Sequence, residues 1–468
     1  MEKIAVRNNR VIVGLALLTG LTVSCKKLIE IPANPPTSIT QSEQFADSVT
    51  AMTAVVSVYT YYTGMSTGFG YDDGLLAEST GLSSDELIYT GSTDQNLPAF
   101  YSYGLSPLNT DISNLWNAPY TSLYTVNAVL EGVDGSSGLS ASFKRQIEGE
   151  MKVIRALYYF NMVNLFGGLP LVTTTAYATT SRLARASEDS VYDQIIADLT
   201  DAQQALTSDY PSPGHLRPNL YTAQALLAKV YLVRGQWQEA YDAANAVISS
   251  GVYSLEPDGN SVFLDGSQEA IWQLPASGGF DVATAEAQGF VPSSGGTYPE
   301  FILTPYLVNA FESGDQRLAD WVGQVIVGND TAYYPYKYKN RLIPSSTTED
   351  YMILRLGEQY LVRAEAEANL GNGANALADI DVVRTRAGLP ASTANPGNKT
   401  EVLNAIMHER QVELFTEWGN RWYDLKRTNT AAAVLGVEKP GWTANAVLYP
   451  IPQTQIQADN LLLQNPGY

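Results

Sequence analysis

The sequence predicts a mainly α-helical protein in which tetratricopeptide-like helix pairs carry an irregular lobe of long loops and short strands. Two observations predict this class. Helical patterns recur along the chain, and two pairs of them reverse direction at a glycine. Long segments rich in Gly, Ser, Thr, Asp and Tyr interrupt the helices and have no period of their own.

The helical patterns have apolar residues at helical spacing or a high share of alanine. They cover residues 42–62, 111–133, 142–166, 188–206, 221–234, 237–249, 349–370, 374–387 and 401–418. Residues 64–110 and 258–299 are irregular, apart from a strand-like piece at 270–274. Loops of this length are usually functional or disordered, so we expect these two segments to carry function.

The two helix pairs differ in how closely they follow a known repeat. Ala228, Tyr231, Gly235, Trp237 and Ala240 have the order of a tetratricopeptide unit. The small residues let two helices approach closely, and the glycine permits the tight reversal between them. A second pair, centred 136 residues further on, repeats the pattern more loosely. That separation excludes a tandem array of repeats of about 34 residues.

The N-terminus has the layout of a lipoprotein signal peptide. Lys3, Arg7 and Arg10 precede an apolar run at residues 11–23, which is shorter than the about 20 residues that span a bilayer. Cys25 follows and is the only cysteine, so no disulfide can form within the chain. We expect cleavage before Cys25 and acylation of its thiol, since several palmitate-type chains anchor firmly. The alternative is an ordinary signal peptide followed by an incidental cysteine.

Composition and charge set the domain organisation and exclude one class of partner. Residues 1–24 are assigned to the signal peptide, 25–40 to a lipidated, Pro-rich tether, and 41–468 to a single body whose N-terminal part ends near residue 300. The formal net charge is −20. Such a field repels phosphate backbones, so nucleic acid is excluded as a partner.

No catalytic residue, metal site or cofactor site is predicted. His215 and His408 lack metal-ligand neighbours at helical spacing, and no Gly-x-Ser-x-Gly motif occurs. A glycosidase needs two opposed carboxylates, and no distinctive pair stands out among the 48 acidic residues. An exported glycoside hydrolase is therefore the less favoured alternative to a binding protein.

Tyrosines in the irregular segments are the candidates for ligand binding. Sugar rings present C–H faces that match aromatic rings, while Asn, Asp, Gln or Arg can hydrogen-bond the hydroxyls. Tyr89, Tyr101 and Tyr103 lie in the first irregular segment, and Tyr298 lies in the second. We predict that at least one of these four is exposed and contacts ligand. The alternative for each of them is a place in the local core.

Several ordered motifs then point to a family. They are residues 25–32 (CKKLIEIP), 155–160 (RALYYF), 165–172 (LFGGLPLV), 384–390 (RTRAGLP), 421–425 (RWYDL), 448–452 (LYPIP) and 464–468 (QNPGY). Together they resemble the SusD/RagB family of lipoproteins over essentially the whole mature chain. Charged residues in or near these motifs are interpreted as buried ion pairs that hold helices together, namely Arg155, Glu409, Arg410, Glu413, Arg421 and Asp424.

The resemblance implies a right-handed superhelix of tetratricopeptide-like pairs with an irregular lobe. It also implies a lipid-anchored place on the outer face of the outer membrane and a SusC-like, TonB-dependent barrel as partner. Such proteins capture a glycan, or sometimes a peptide, and deliver it to the barrel. Lys26 and Lys27 depart from the acidic residues that often follow the lipidated cysteine. A tetratricopeptide scaffold lipoprotein that binds only protein is the alternative, and the long Tyr- and Gly-rich insertions argue against it.

Overall fold

A computed structural model describes residues 39–62, 74–276, 283–341, 348–439 and 441–468 of the chain. The predicted signal peptide, Cys25 and residues 25–38 of the tether lie outside these ranges. Within the described ranges, no helix is both long and apolar enough to cross a membrane. The division of the body near residue 300 stays a prediction.

Helices dominate the described residues, which confirms the predicted fold class. In chain order they are α1 (Gln41–Gln44), α2 (Ser48–Tyr62), α3 (Leu75–Ser83), α4 (Pro98–Ser102), α5 (Thr110–Gly135), α6 (Ala141–Phe166), α7 (Tyr177–Thr180), α8 (Glu188–Ala205), α9 (Leu220–Val233), α10 (Trp237–Ser249), α11 (Ala285–Phe290), α12 (Pro305–Val308), α13 (Gln316–Trp321), α14 (Leu356–Asn369), α15 (Gly373–Arg386), α16 (Lys399–Glu413), α17 (Asn420–Arg427), α18 (Ala431–Glu438) and α19 (Gln453–Ala458). The strands are β1 (Leu87–Tyr89), β2 (Ala270–Pro275), β3 (Phe301–Leu303), β4 (Val322–Val327), β5 (Asp330–Pro335) and β6 (Asp350–Arg355).

Both predicted helix pairs are present, and they pack on each other despite their separation in sequence. The first pair is α9 and α10, and the second is α14 and α15. Ala228, Ala240 and Ala366 are fully buried where α9, α10 and α14 meet. Gly235 and Gly371 have φ values of +67° and +90°, so each adopts the left-handed conformation that the reversal requires. The small side chains allow the three helices to approach closely.

The motif at residues 165–172 marks the end of a long buried helix. Ser140 caps the start of α6 by accepting the Phe143 amide at 3.2 Å, and Gly167 ends the helix. A Cβ atom on Gly168 would overlap the carbonyl oxygen of Ala186, which lies in an adjacent segment of the same chain. The two glycines therefore let the chain leave α6 close to the segment before α8.

The strands form three antiparallel pairs, β1 with β3, β2 with β6, and β4 with β5. The strand predicted at residues 270–274 is thereby confirmed. The helix predicted at 349–370 starts too early, because residues 350–355 form β6. All six residues of β6 are buried, and a short apolar run of this kind fits a buried strand as well as a helix.

Two further predictions from the sequence are wrong in detail. Residues 64–110 contain regular elements, α3, β1 and α4, whereas the sequence pattern showed no period. The helix predicted at 401–418 ends at Glu413, because Thr416 and Trp418 have φ values of +54° and +49°. A left-handed backbone at these positions cannot continue an α-helix.

Buried ion pairs join the helix pairs to the irregular lobe, as interpreted from the sequence. Glu413 of α16 contacts the guanidinium of Arg355 at 2.6 Å and that of Arg317 at 3.0 Å, and it also contacts Arg386. We call the group formed by Glu269, Arg317, Lys337, Arg355, Arg386, Glu409, Glu413 and Glu417 the buried ion network. Its members come from α13, β6, α15 and α16 and from loop residues next to β2, β5 and α16, so the network fixes the lobe on the helices.

The remaining charged motif residues also form buried pairs, each with a different partner. Arg155 binds Asp198 through two hydrogen bonds of 2.6 and 2.8 Å. Arg410 binds Asp424 at 2.7 Å. Such bidentate pairs combine charge with a fixed geometry. Their structural role is confirmed by these contacts.

Candidate functional site

Strand pairing brings the two irregular segments together in one lobe. β1 runs antiparallel to β3 with Tyr89 opposite Phe301, and the Thr90 amide donates to the Glu300 carbonyl at 2.8 Å. Tyr298 lies three residues before Phe301. Tyr89 and Tyr298 therefore lie on adjoining pieces of chain, although they are far apart in sequence.

The end of α4 places aromatic rings around a cation. Tyr103 has φ of +56°, and its hydroxyl donates to the Ser83 carbonyl at 2.6 Å. Its ring packs edge-on against Trp442, with centroids 5.0 Å apart and planes at 79°. The Lys439 ammonium lies 4.5 Å from the ring centroid of Tyr101 and 5.5 Å from that of Tyr103. These distances are typical of cation–π contacts, which help to fix the two tyrosine rings in place.

The Lys439 ammonium at the centre of these rings is buried, and its pKa lies near neutral pH. Lys439 is 2% exposed, and its ammonium donates to the carbonyls of Leu82 and Ser84. Burial lowers the pKa of Lys439 to about 7, although the carboxylates of Asp85 and Glu438 oppose this shift. Burial, reinforced by Asp85, raises the pKa of Glu438 to about 7. Both side chains therefore titrate close to neutrality.

A fourth ring extends this group to solvent. Tyr306 is 50% exposed. Burial raises the pKa of Tyr101, and Glu438 and Tyr306 add smaller electrostatic effects, so Tyr306 lies within electrostatic range of Tyr101. Tyr101, Tyr103 and Trp442 are half-buried, so part of each side chain faces solvent. We call Tyr101, Tyr103, Tyr306 and Trp442, together with the buried Lys439, the tyrosine surface.

The four tyrosines predicted from the sequence are divided between two places. Tyr101 and Tyr103 belong to the tyrosine surface, whereas Tyr89 and Tyr298 lie on or beside the β1–β3 pair. Tyr89 packs on Phe301 with centroids 5.2 Å apart, and its hydroxyl accepts the Asp94 amide at 3.1 Å. All four are half-buried. Their contact with a ligand stays a prediction.

Sequence reasoning missed Tyr306, Lys439 and Trp442. Trp442 directly follows a Pro-Gly dipeptide, which indicates a turn but says nothing about its neighbours in space. The glycine of that turn, Gly441, is needed because a Cβ atom there would overlap the carbonyl oxygen of Ser102 in α4. Gly441 thus permits the close approach that places Trp442 against Tyr103.

A separate cavity of about 740 Å³ opens among the helix pairs. It is bounded by α9, α14, α16, α17 and α18, with Trp237 and Met407 in its wall. Arg421 in this wall binds Asp85 at 2.6 and 2.7 Å, and Arg427 binds Glu365 at 2.6 Å. These two guanidinium groups are engaged with carboxylates, while Arg234 and His408 also line the cavity, so its wall is partly polar.

The chemistry of the tyrosine surface suits binding. Among the residues that the structure describes, no three His, Cys, Asp or Glu side chains are grouped to hold a metal ion. Two of the nearby acids are engaged, since Asp85 accepts from Arg421 and Glu86 accepts the Thr416 amide at 3.2 Å. The partly exposed faces of Tyr101, Tyr103 and Trp442 remain, and aromatic faces of this kind can stack on a sugar ring.

Comparison with known proteins identifies the family. The family model described as the SusD family matches residues 324–468, and the model described as starch-binding and associating with the outer membrane matches residues 72–232. Together these ranges cover more than half of the chain. A SusD-like protein of Formosa agariphila is 28% identical over 421 residues, which cover 76% of this chain and 80% of the relative.

Solved structures share the fold. A SusD superfamily protein from Bacteroides vulgatus has a TM-score of 0.80 at 21% identity, covering 90% of this chain and 99% of that one. A laminarin-binding SusD-like protein has a TM-score of 0.77 at 26% identity, covering 90% and 100%. From the matching models, the relatives and the shared helical architecture, the chain belongs to the SusD/RagB family.

Proposed function

We propose that this protein is a lipoprotein on the outer face of the outer membrane that binds an oligosaccharide and delivers it to a SusC-like, TonB-dependent barrel. The tyrosine surface is the proposed ligand site, because it groups partly exposed aromatic rings in one lobe and the buried Lys439 helps to hold two of them in place. The protein acts by capture and release and is not an enzyme.

Two findings support a glycan as the ligand class. One of the matching family models is described as starch-binding, and a structural relative at 26% identity is described as laminarin-binding. Stacking of sugar rings on tyrosine and tryptophan suits a range of oligosaccharides, so the surface itself does not select among them. A peptide is the other ligand that the family resemblance implies.

The anchor is proposed on Cys25. Its place after an apolar run of signal-peptide length supports acylation, and a family model described as associating with the outer membrane supports the location. Residues 25–40 are proposed as the tether that joins this anchor to the body. Tyr89 and Tyr298 are proposed as outlying ligand contacts on the same lobe.

The cavity among the helix pairs bears on the alternative of a protein-binding scaffold. Grooves between stacked helices are the usual binding surface of helical repeat proteins. The lobe argues for the glycan ligand, because a scaffold that binds only protein has no use for a partly exposed aromatic group outside the helix pairs. Substitution of Trp237, in the wall of the cavity, distinguishes glycan binding at the tyrosine surface from protein binding in the cavity, because it leaves the tyrosine surface intact.

A screen of soluble glycans tests the proposal. Affinity electrophoresis and calorimetry with starch, laminarin and other oligosaccharides should detect binding to the wild-type protein, and Trp237→Ala should bind as the wild type does. Product analysis after long incubation should show the glycans unchanged. Absence of binding to every glycan and peptide, or release of shortened products, would contradict the proposal.

A further inference from the structure

The tyrosine surface is built around a buried ammonium group whose direct partners, within the described part of the chain, are neutral. Lys439 donates to the carbonyls of Leu82 and Ser84 at the end of α3 and lies against the rings of Tyr101 and Tyr103. These two phenols are the titratable groups that face it from the end of α4. Carbonyls and ring faces attract an ammonium group without neutralising it. The charge of Lys439 therefore draws the end of α3 and the two rings together.

Charged groups on the neighbouring elements act on this ammonium through their electric field. Asp85 and Glu86 follow α3, and Glu438 is the last residue of α18; all three carboxylates favour the charged form of Lys439. Asp85 is bound to the Arg421 guanidinium of α17 at 2.6 and 2.7 Å. Because Asp85 has Arg421 as its partner, Lys439 can gain or lose its proton without breaking an ion pair.

The charge of Lys439 changes near neutral pH. Burial lowers its pKa to about 7, because the ammonium has left water for a place between rings and carbonyls. Burial also raises the pKa of Glu438 to about 7 and that of Glu86 to about 8, so both acids ionise over the same range. An ionised acid supports the ammonium, which spreads the loss of its proton over a wider range of pH than an isolated group would need.

We propose that Lys439 is a positioning residue for glycan binding: its charge holds Tyr101 and Tyr103 in the arrangement that grips the sugar, and loss of its proton loosens that grip. This inference rests on the proposed function and adds its control by pH. A neutral amine can still donate to the two carbonyls, but it has no charge to attract the ring faces. The Tyr103 hydroxyl remains tied to the Ser83 carbonyl at 2.6 Å, so the change falls mainly on the ring of Tyr101.

The size of the effect follows from the fraction of molecules in which Lys439 is charged. With a pKa of about 7, this fraction is about 0.9 at pH 6 and about 0.03 at pH 8.5. A glycan that bound only the charged form would lose affinity by about 30-fold over this range. The two acids that ionise over the same range reduce the fall, and we expect a loss of about fivefold or more.

Titration calorimetry of the full-length protein in detergent tests this inference with laminarin and soluble starch, two neutral glucans without a titratable group. The wild-type affinity should fall by about fivefold or more between pH 6 and 8.5. Lys439→Arg stays charged at both pH values and should keep its affinity nearly constant. Lys439→Met should bind as weakly at pH 6 as the wild type does at pH 8.5. Lys152→Met is the matched control, since Lys152 pairs with Asp201 on the helix surface, and it should keep the wild-type profile.

Glu438→Gln separates the two groups that titrate near neutral pH. The variant should retain the fall in affinity, with its midpoint at lower pH, because the carboxylate that supports the Lys439 ammonium is gone. A fall that disappears in Glu438→Gln would assign the pH dependence to the acid and overturn the inference. This variant also decides the question if both Lys439 variants melt at a much lower temperature than the wild type.

A measurement without ligand keeps the inference testable whether or not a glucan binds. In protein labelled at the lysine ε-carbon and the tyrosine ring carbons, the NMR signal of the Tyr101 ring should shift at the pH where Lys439 loses its proton, and that of Tyr103 should shift less. A Tyr101 signal that ignores this titration, or a wild-type glucan affinity that is constant with pH, would overturn the inference. Absence of glucan binding at every pH, with the Tyr101 shift present, would count against the glycan part of the proposed function and leave the positioning of the rings supported.

Discussion

Replacing Glu413 by Gln should destabilise the protein strongly, because the side chain is fully buried and serves three arginines. Burial alone would raise the pKa of Glu413, but Arg386, Arg355 and Arg317 outweigh it and hold the pKa well below its usual value. Glu413→Gln keeps the shape of the side chain and removes its charge, which leaves the three guanidinium groups undercompensated. Breaking a buried pair in this way costs about 3–5 kcal/mol.

That cost can be measured as a shift in the unfolding temperature. A folded body of about 430 residues has an unfolding entropy of about 0.9 kcal/mol/K, so the loss corresponds to about 3–6 °C in calorimetry. Glu312→Gln is the control, because Glu312 pairs with Arg384 at 2.6 Å but has a side chain 40% exposed. Exposed pairs contribute at most about 1 kcal/mol. Melting of Glu413→Gln within about 1 °C of the wild type would refute a structural role for the network.

Three further predictions concern the site and the anchor. Gly441→Ala should weaken glycan binding in titration calorimetry, because the added Cβ overlaps the Ser102 carbonyl and pushes Trp442 away. Gly135→Ala is the control: its Cβ would have open space around it, so this variant should bind glycan as the wild type does. Burial and a neighbouring acid raise the pKa of Glu86 to about 8, so its stabilising contribution is complete below about pH 4.5 and is lost as pH rises through 8. The wild-type melting temperature should therefore fall between pH 5 and 8.5 more than that of Glu86→Gln, and parallel curves would contradict this. Cys25→Ala should release the protein from membranes in fractionation made without the barrel, and retention would disprove the lipid anchor.

The fold was largely readable from the sequence because helix periodicity and the glycine at each reversal are local signals. The close packing of α9, α10 and α14 was not readable, since Ala228 and Ala366 meet through a contact between distant parts of the chain. The start of the helix at residue 356 was misplaced because the buried strand before it has an equally apolar sequence. What decides between the two structures is pairing with β2, which no local pattern encodes.

The candidate site was only half predictable for the same reason. Tyr101 and Tyr103 stood out because they are aromatic residues in an irregular segment of unusual length. Trp442 and Lys439 come from the end of α18 and reach these tyrosines only through tertiary packing. The charged motif residues were interpreted correctly as structural, whereas partners such as Asp198 carried no signal of their own.

The most direct test of the central claim measures glycan affinity in variants of the tyrosine surface. The glycan that binds the wild type most tightly should lose affinity by about tenfold or more in Tyr101→Ala and in Tyr306→Ala, as expected for aromatic contacts at the centre of a binding site. Tyr177→Ala, which removes a tyrosine that is 80% exposed on α7, should bind as the wild type does. Wild-type affinity in both lobe variants, with melting temperatures unchanged, would contradict the assignment of ligand binding to this surface.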